Sequence, residues 1–251
     1  MNHSFFLIQT SMKNLKVIVL ALSFLAVFAG CGNMNNTTKG GLIGGGGGAA
    51  LGAILGQVIG KSPGGAAIGA AIGTAVGATA GVLIGKKMDK AKAAAQQVAN
   101  AQVEEVTDKN GLTAVKVTFD SGILFPSGSS TLSASAQSSL QTFANTVLKA
   151  NTDMDCAIQG YTDNTGWKNS TAEQSVQKNQ QLSLQRAQAV SSYLLGQGVS
   201  GTQIKAVEGL GEANPVADNS TAEGKTQNRR VEVYLYASEK MIEAANAGTL
   251  Q

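Results

Sequence analysis

Residues 158–193 constrain this chain more than any other stretch. They read IQGYTDNTG, then an insert, then NQQLSLQRAQAVSSY. The pattern predicts a buried strand, a tight loop and a helix. Asp163 falls just past the strand end and Arg186 well inside the helix. Asn179, Leu182 and Arg186 stand at i, i+3 and i+7, so they share one helix face. A carboxylate on a loop facing an arginine on a helix makes a small two-signed site. It suits a ligand whose ammonium and carboxylate lie close together, because Asp accepts from the one and Arg grips the other bidentately. In isolation the same pair would read as a turn cap and a surface ion pair.

The pair is not isolated. Thr162-Asp163 … Gly166 is followed by Asn179 … Leu182-Ser183 … Arg186-Ala187. Then come Gly209-Leu210-Gly211-Glu212 … Pro215 and Asn228-Arg229-Arg230-Val231-Glu232. In this order the blocks resemble the OmpA-like peptidoglycan-binding domain, over roughly Val103 to Ala237. The resemblance implies a ligand, the diaminopimelate end of the wall peptide, whose side-chain terminus is a free amino acid. It implies that Asp163 takes the ammonium and Arg186 the carboxylate. Thr165 and Asn179 would add hydrogen bonds, and Leu182 would support the ligand's methylenes. Arg229 and Arg230 also match family positions. One is read as a structural ion pair and the other as strand surface.

Two departures from the family stand out. Tyr161 replaces a histidine, and is expected beside the pocket with a hydrogen-bonding tip. Twelve residues, Trp167 to Lys178, separate Gly166 from Asn179, more than the family spacing. Ser170 to Glu173 (STAE) fits a capping box, so either the helix begins early or the insert forms a flap. Trp167 is read as covering local apolar surface.

Around this stretch, Val115, Val117 and Phe119 alternate with polar residues, as in a half-buried strand. Residues 120–126 read as a loop. Leu132, Ala136, Leu140, Phe143 and Val147 step by three or four along an amphipathic helix. Cys156 to Gly160, Ile204 to Gly209, and the alternating Val231, Val233 and Leu235 supply three more strands. The fold class is an α/β (α+β) two-layer sandwich of OmpA-like type.

The start of the chain has another character. Lys13 and Lys16 precede VIVLALSFLAVFAG, an apolar run of signal-peptide length that ends at Cys31. Small residues before a cysteine resemble a bacterial lipoprotein signal, with Cys31 as the lipid-bearing first residue. Loss of residues 1–30 leaves 17 basic against 16 acidic residues, a balance that gives no support to nucleic-acid binding. Cys156 is then unpaired and reads as a small core residue. His3, the single histidine, would leave with the signal, which removes histidine-based catalysis and histidine metal sites. No cofactor is expected.

Glycine recurs every fourth residue at 44, 48, 52, 56 and 60, and again at 65, 69, 73, 77, 81 and 85. In water such helices are poor, since each Gly costs about 1 kcal/mol relative to Ala. In lipid a glycine stripe lets two helices approach closely. With Pro63-Gly64 between them, the two arms form an antiparallel hairpin that resembles a glycine zipper. Each arm is uncharged and just long enough for a bilayer, which needs ~20 residues. Residues 86–106 contain no Gly or Pro and read as a solvated helix, ~30 Å long, that spaces the next domain from the membrane.

The resulting order is a lipoprotein signal peptide (1–30), a polar spacer (31–39) and a glycine-zipper helical hairpin (40–85). A helical linker (86–106), an OmpA-like peptidoglycan-binding domain (107–237) and a C-terminal tail (238–251) follow. The expected function is that of a non-catalytic cell-envelope lipoprotein that anchors the outer membrane to peptidoglycan, with its C-terminal domain facing the periplasm. Its partners would be the diaminopimelate-containing stem peptide and the membrane, through the lipid anchor and the hairpin, with homo-oligomers forming through the hairpin. One alternative is a membrane-perturbing or channel-forming oligomer of the hairpin, merely located by the wall domain. A peptidoglycan-cleaving enzyme has little support, as no second acid faces Asp163.

Overall fold

The computed structural model describes residues 78–107, 113–126 and 128–250. The signal peptide, Cys31, the spacer and the hairpin up to residue 77 lie outside them. The described chain begins with helix α1 (Ala78–Ala95) and strand β1 (Ala101–Thr107). Strand β2 (Thr113–Asp120), a short helix α2 (Ser121–Leu124) and helix α3 (Ala134–Phe143) follow, α3 closing in a π-helical turn at Ala144–Leu148. Next come β3 (Met154–Gly160), helix α4 (Ala172–Gly196) and β4 (Ile204–Gly209). The chain ends with α5 (Ala222–Asn228), β5 (Arg230–Ala237) and α6 (Glu239–Asn246).

The five strands lie in the order β1-β2-β5-β3-β4. Only β3 and β4 run parallel, joined by the α4 crossover; the other pairs are antiparallel. The last strand in sequence is therefore central, and all eight of its residues are buried. The alternation of Val231, Val233 and Leu235 predicted a strand here. Both faces are in fact covered at β5, because Arg230 and Glu232 are paired there and Tyr234 and Tyr236 lie under other side chains.

On one face, Val117, Phe119, Ile158, Val231 and Val233 pack against Leu140, Phe143, Val190 and Leu194 of α3 and α4. Each such side chain contributes about 1.5–3 kcal/mol on burial. This sheet face and its helices are the two layers expected from the sequence. Cys156 sits in this core, fully buried, and burial pushes its thiol pKa up to about 12.

The solvated linker expected at 86–106 is corrected. Met88, Ala91 and Ala95 are buried at i, i+3 and i+7 on one helix stripe, and Val98 is buried in the turn that follows. The stripe is made of small or flexible residues, so its apolar signal in sequence is weak. Asn100 then takes φ 62°, a left-handed conformation tolerated by Asn, and turns the chain into β1. Strand β1 pairs along the whole of β2, with Val103 opposite Val117. The expected C-terminal tail is also largely helical. Ser238 caps α6 by accepting from Met241 N at 3.1 Å, and Met241, Ile242 and Ala245 are buried. Helices α1 and α6 pack together over the second sheet face, on Ala114, Met154 and Tyr236. Among the described residues no helix is long and apolar enough to cross a membrane.

Candidate ligand-binding site

The opposite end of the sheet is where β2 and β3 finish and β5 begins. Two glycines bring α4 onto it. A Cβ on Gly160 would lie 2.1 Å from Ser183 O, and one on Gly209 would lie 2.2 Å from Leu184 N. Only glycine permits this approach of helix backbone to strand. Ser183 locks it, donating to Gln180 O at 2.7 Å and accepting from Gly211 N at 2.9 Å. Leu182-Ser183 and the Gly209–Gly211 block are thus parts of one joint.

Helix α4 starts at Ala172, capped by a reciprocal box between Thr171 and Gln174. The insert therefore extends the helix N-terminally rather than forming a flap. The capping pair is one residue later than the STAE reading. Its N-terminal extension carries Ser175 and Asn179 against the loop that follows β3. Ser175 Oγ accepts from Trp167 N at 3.0 Å, and Asn179 Oδ1 accepts from Trp167 Nε1 at 2.8 Å. Asn179 Nδ2 donates to Thr165 O at 3.2 Å. Asn179 is thus a loop staple. Trp167 lines the cavity, with Lys178 Nζ 5.8 Å from its ring.

Asp163, Thr165, Asn179, Leu182 and Arg186 line one cavity of about 660 Å³, together with Ser121, Phe125, Thr162 and Arg229. Asp163 is 5% exposed. Its Oδ1 accepts from Thr165 N at 2.8 Å and its Oδ2 from Arg229 Nη1 at 2.5 Å. Burial would raise its pKa, but the bonds from Thr165 and Arg229 outweigh this and hold it below the ordinary carboxylate value. Arg186 is 4% exposed; its Nε donates to Ser129 O at 3.1 Å and its guanidinium carbon lies 5.3 Å from the Phe125 ring centre. Burial, then the Arg229 charge, lowers its pKa. It has no ion pair among the described residues. The cavity therefore offers a fixed carboxylate and a guanidinium not matched by an acid.

Sequence reading left two residues misplaced. Arg230 is not strand surface: it is buried, donates to Glu232 Oε1 at 2.7 Å and stacks 3.8 Å over the Tyr161 ring. Tyr161 does not face the cavity. It is absent from the cavity lining and is buried, with its OH donating to Gln159 Oε1 at 2.8 Å. Of Arg229 and Arg230 one was expected to make a structural ion pair; both do, Arg229 with Asp163 and Arg230 with Glu232. The adjacent Asn228 is structural; it accepts from Val216 N and Ala217 N and donates to Ala217 O. Among the described residues no His, Cys, Asp or Glu group could hold a metal ion.

The described domain is a mixed five-stranded sheet with a polar cavity where β2 and β3 end and β5 begins. Residues 124–229 match the OmpA family and residues 12–89 the YMGG-like Gly-zipper family. Along the chain the Gly-zipper match therefore precedes the OmpA match. It is 45% identical over 121 residues to the probable lipoprotein YiaD of Escherichia coli, covering 47% of each chain. It is 49% identical over 86 residues to the peptidoglycan-binding protein ArfA of Mycobacterium bovis, covering 34% of this chain and 24% of that one. The chain thus spans about half of the first relative's length and a quarter of the second's. The cell wall anchor of the T6SS from Pseudomonas aeruginosa is 27% identical, with 60% of this chain and 97% of that one covered and a TM-score of 0.45.

Proposed function

We propose that the protein is a non-catalytic lipoprotein of the bacterial cell envelope that ties the outer membrane to peptidoglycan. Cys31 carries the lipid, the glycine hairpin packs in the membrane, and the C-terminal domain binds the wall from the periplasm. The ligand is the diaminopimelate end of the stem peptide. Asp163 accepts hydrogen bonds from its free ammonium, Arg186 grips its carboxylate, and Leu182 lies along its methylenes. Thr165 and Asn179 hold the loop that carries Asp163. The observation that carries this reading is the juxtaposition, in one cavity, of an ionised Asp163 with an Arg186 that has no acidic partner. The match of residues 124–229 to the OmpA family, and the printed names of the relatives, agree with it.

The test is co-sedimentation of the detergent-solubilised full chain with purified sacculi, with meso-diaminopimelate as competitor. Hydrogen bonds to charged groups contribute roughly 1.5–3 kcal/mol. Asp163→Ala and Arg186→Ala should each weaken binding about tenfold or more. Arg186→Lys should also lose affinity, since an ammonium cannot reproduce the fork. Folded variants that sediment like the wild type would sink the assignment. Palmitate labelling should vanish in Cys31→Ala.

A further inference from the structure

Two buried hydroxyls on the cavity wall have no hydrogen-bond partner. They are Ser121 Oγ and Thr162 Oγ1, on residues 1% and 5% exposed. Buried hydroxyls are almost always hydrogen-bonded, because removal from water without compensation is unfavourable. Their neighbours explain why nothing in the chain answers them. The Ser121 N–H is already given to Arg229 O at 2.9 Å, and its carbonyl accepts from Phe125 N at 2.8 Å. The Thr162 N–H is given to Gly211 O at 2.8 Å. The backbone of both residues is thus committed to the joint between sheet, α2 and α4, and only the hydroxyls are left over. They come from different elements, the start of α2 and the loop after β3, and converge on the cavity that also holds Asp163 and Arg186.

We propose that Ser121 and Thr162 are ligand-contact residues whose hydroxyls bond the polar end of a free amino acid seated between Asp163 and Arg186. This rests on the reading of that cavity as the diaminopimelate site. A hydroxyl both donates and accepts, so it can donate to the carboxylate or accept from the ammonium. Both oxygens are themselves enclosed, so contact with the bound group requires them to turn about χ1. The orphaned pair then lowers the affinity of the cavity for an apolar occupant and raises it for a ligand with a charged end. Neither residue carries the two-signed pattern that marked Asp163 and Arg186.

The experiment is isothermal titration of the full chain in detergent with meso-diaminopimelate, alongside a thermal melt of each variant. Ser121→Ala and Thr162→Val remove a hydroxyl with little change in shape. Each should weaken binding about tenfold while leaving Tm unchanged or higher, because an unsatisfied buried group is removed. Thr162→Ser, which keeps the hydroxyl, should bind like the wild type. Wild-type affinity in both Ser121→Ala and Thr162→Val overturns the proposal. So does a loss of affinity that Thr162→Ser shares, or one that only follows a fall in Tm. Should Asp163→Ala and Arg186→Ala also bind normally, the functional reading fails; if they alone lose binding, that reading stands and only the hydroxyl contacts are refuted.

Discussion

Asp163 is held by Arg229, not by Arg186. Arg229 Nη1 donates to Asp163 Oδ2 at 2.5 Å, across 66 positions of sequence. The carboxylate is oriented from below by Thr165 N–H and from the side by Arg229 before any ligand arrives. Arg186 approaches the same cavity from α4 and is left without an acid. One arginine positions the acceptor, and the other is available to an anion.

That division has a pH consequence. The folded pKa of Asp163 lies below its ordinary 3.8. Its contribution to stability is therefore complete above about 3.8 and is lost as pH falls through the lower folded value. Arg229→Ala removes one of the contacts that lower the pKa. Wild-type protein is expected to go on holding sacculi as the pH falls past 3.8, the ordinary value of the carboxylate. Arg229→Ala should release them at a higher pH. Superimposable pH profiles would show that Arg229 does not keep Asp163 ionised.

Asp155 on β3 shows the opposite shift. Burial pushes its pKa from 3.8 to about 6, only partly opposed by Lys205 at 3.7 Å. The folded state then binds more protons between about 4 and 6, so stability falls as pH rises through that window and is level above it. Asp155→Asn is expected to melt a few degrees above the wild type at about pH 8 and to lose that advantage at about pH 3. A Tm difference independent of pH would contradict the assignment.

Gly160 sets the distance between α4 and the sheet. Gly160→Ala must push Ser183 O away from a position 2.1 Å from the new Cβ. Overpacking of this kind costs about 1–3 kcal/mol. Because α4 carries Arg186, ligand affinity should fall with stability. Urea unfolding and sacculus binding, measured on the same protein, check both. Undiminished stability would mean that the joint is looser than its geometry.

Met88 tests the docking of α1. A solvated linker would tolerate Met88→Ala at almost no cost. Buried at 1% exposure against the second sheet face, the side chain should instead be worth about 2–5 kcal/mol. Denaturant unfolding of the full chain reads this directly. A change below about 0.5 kcal/mol, the range of ordinary surface substitutions, would restore the linker. The same packing implies that a fragment starting at residue 103 lacks part of its core.

The sequence by itself determined what depends on local period. The alternation at 115–119 and 231–235, the short strand runs at 156–160 and 204–209, and the three-to-four-residue repeat of the helix through 182–194 were all legible locally. That Asn179, Leu182 and Arg186 share a face follows from helix geometry alone, and the structure puts all three on one cavity. Tertiary structure decided everything that depends on pairing between distant segments. Strand β5 is central because β2 and β3 both hydrogen-bond to it, which no local pattern encodes. Arg229 reaches Asp163 only because β5 begins beside the end of β3. The stripe Met88-Ala91-Ala95 became core because α6 and the second sheet face lie over it, and small side chains announce such burial weakly. Asn179 turned from ligand contact to loop staple once Trp167 was folded against it. Period is a property of neighbouring residues; which faces meet is set by the whole chain closing on one core.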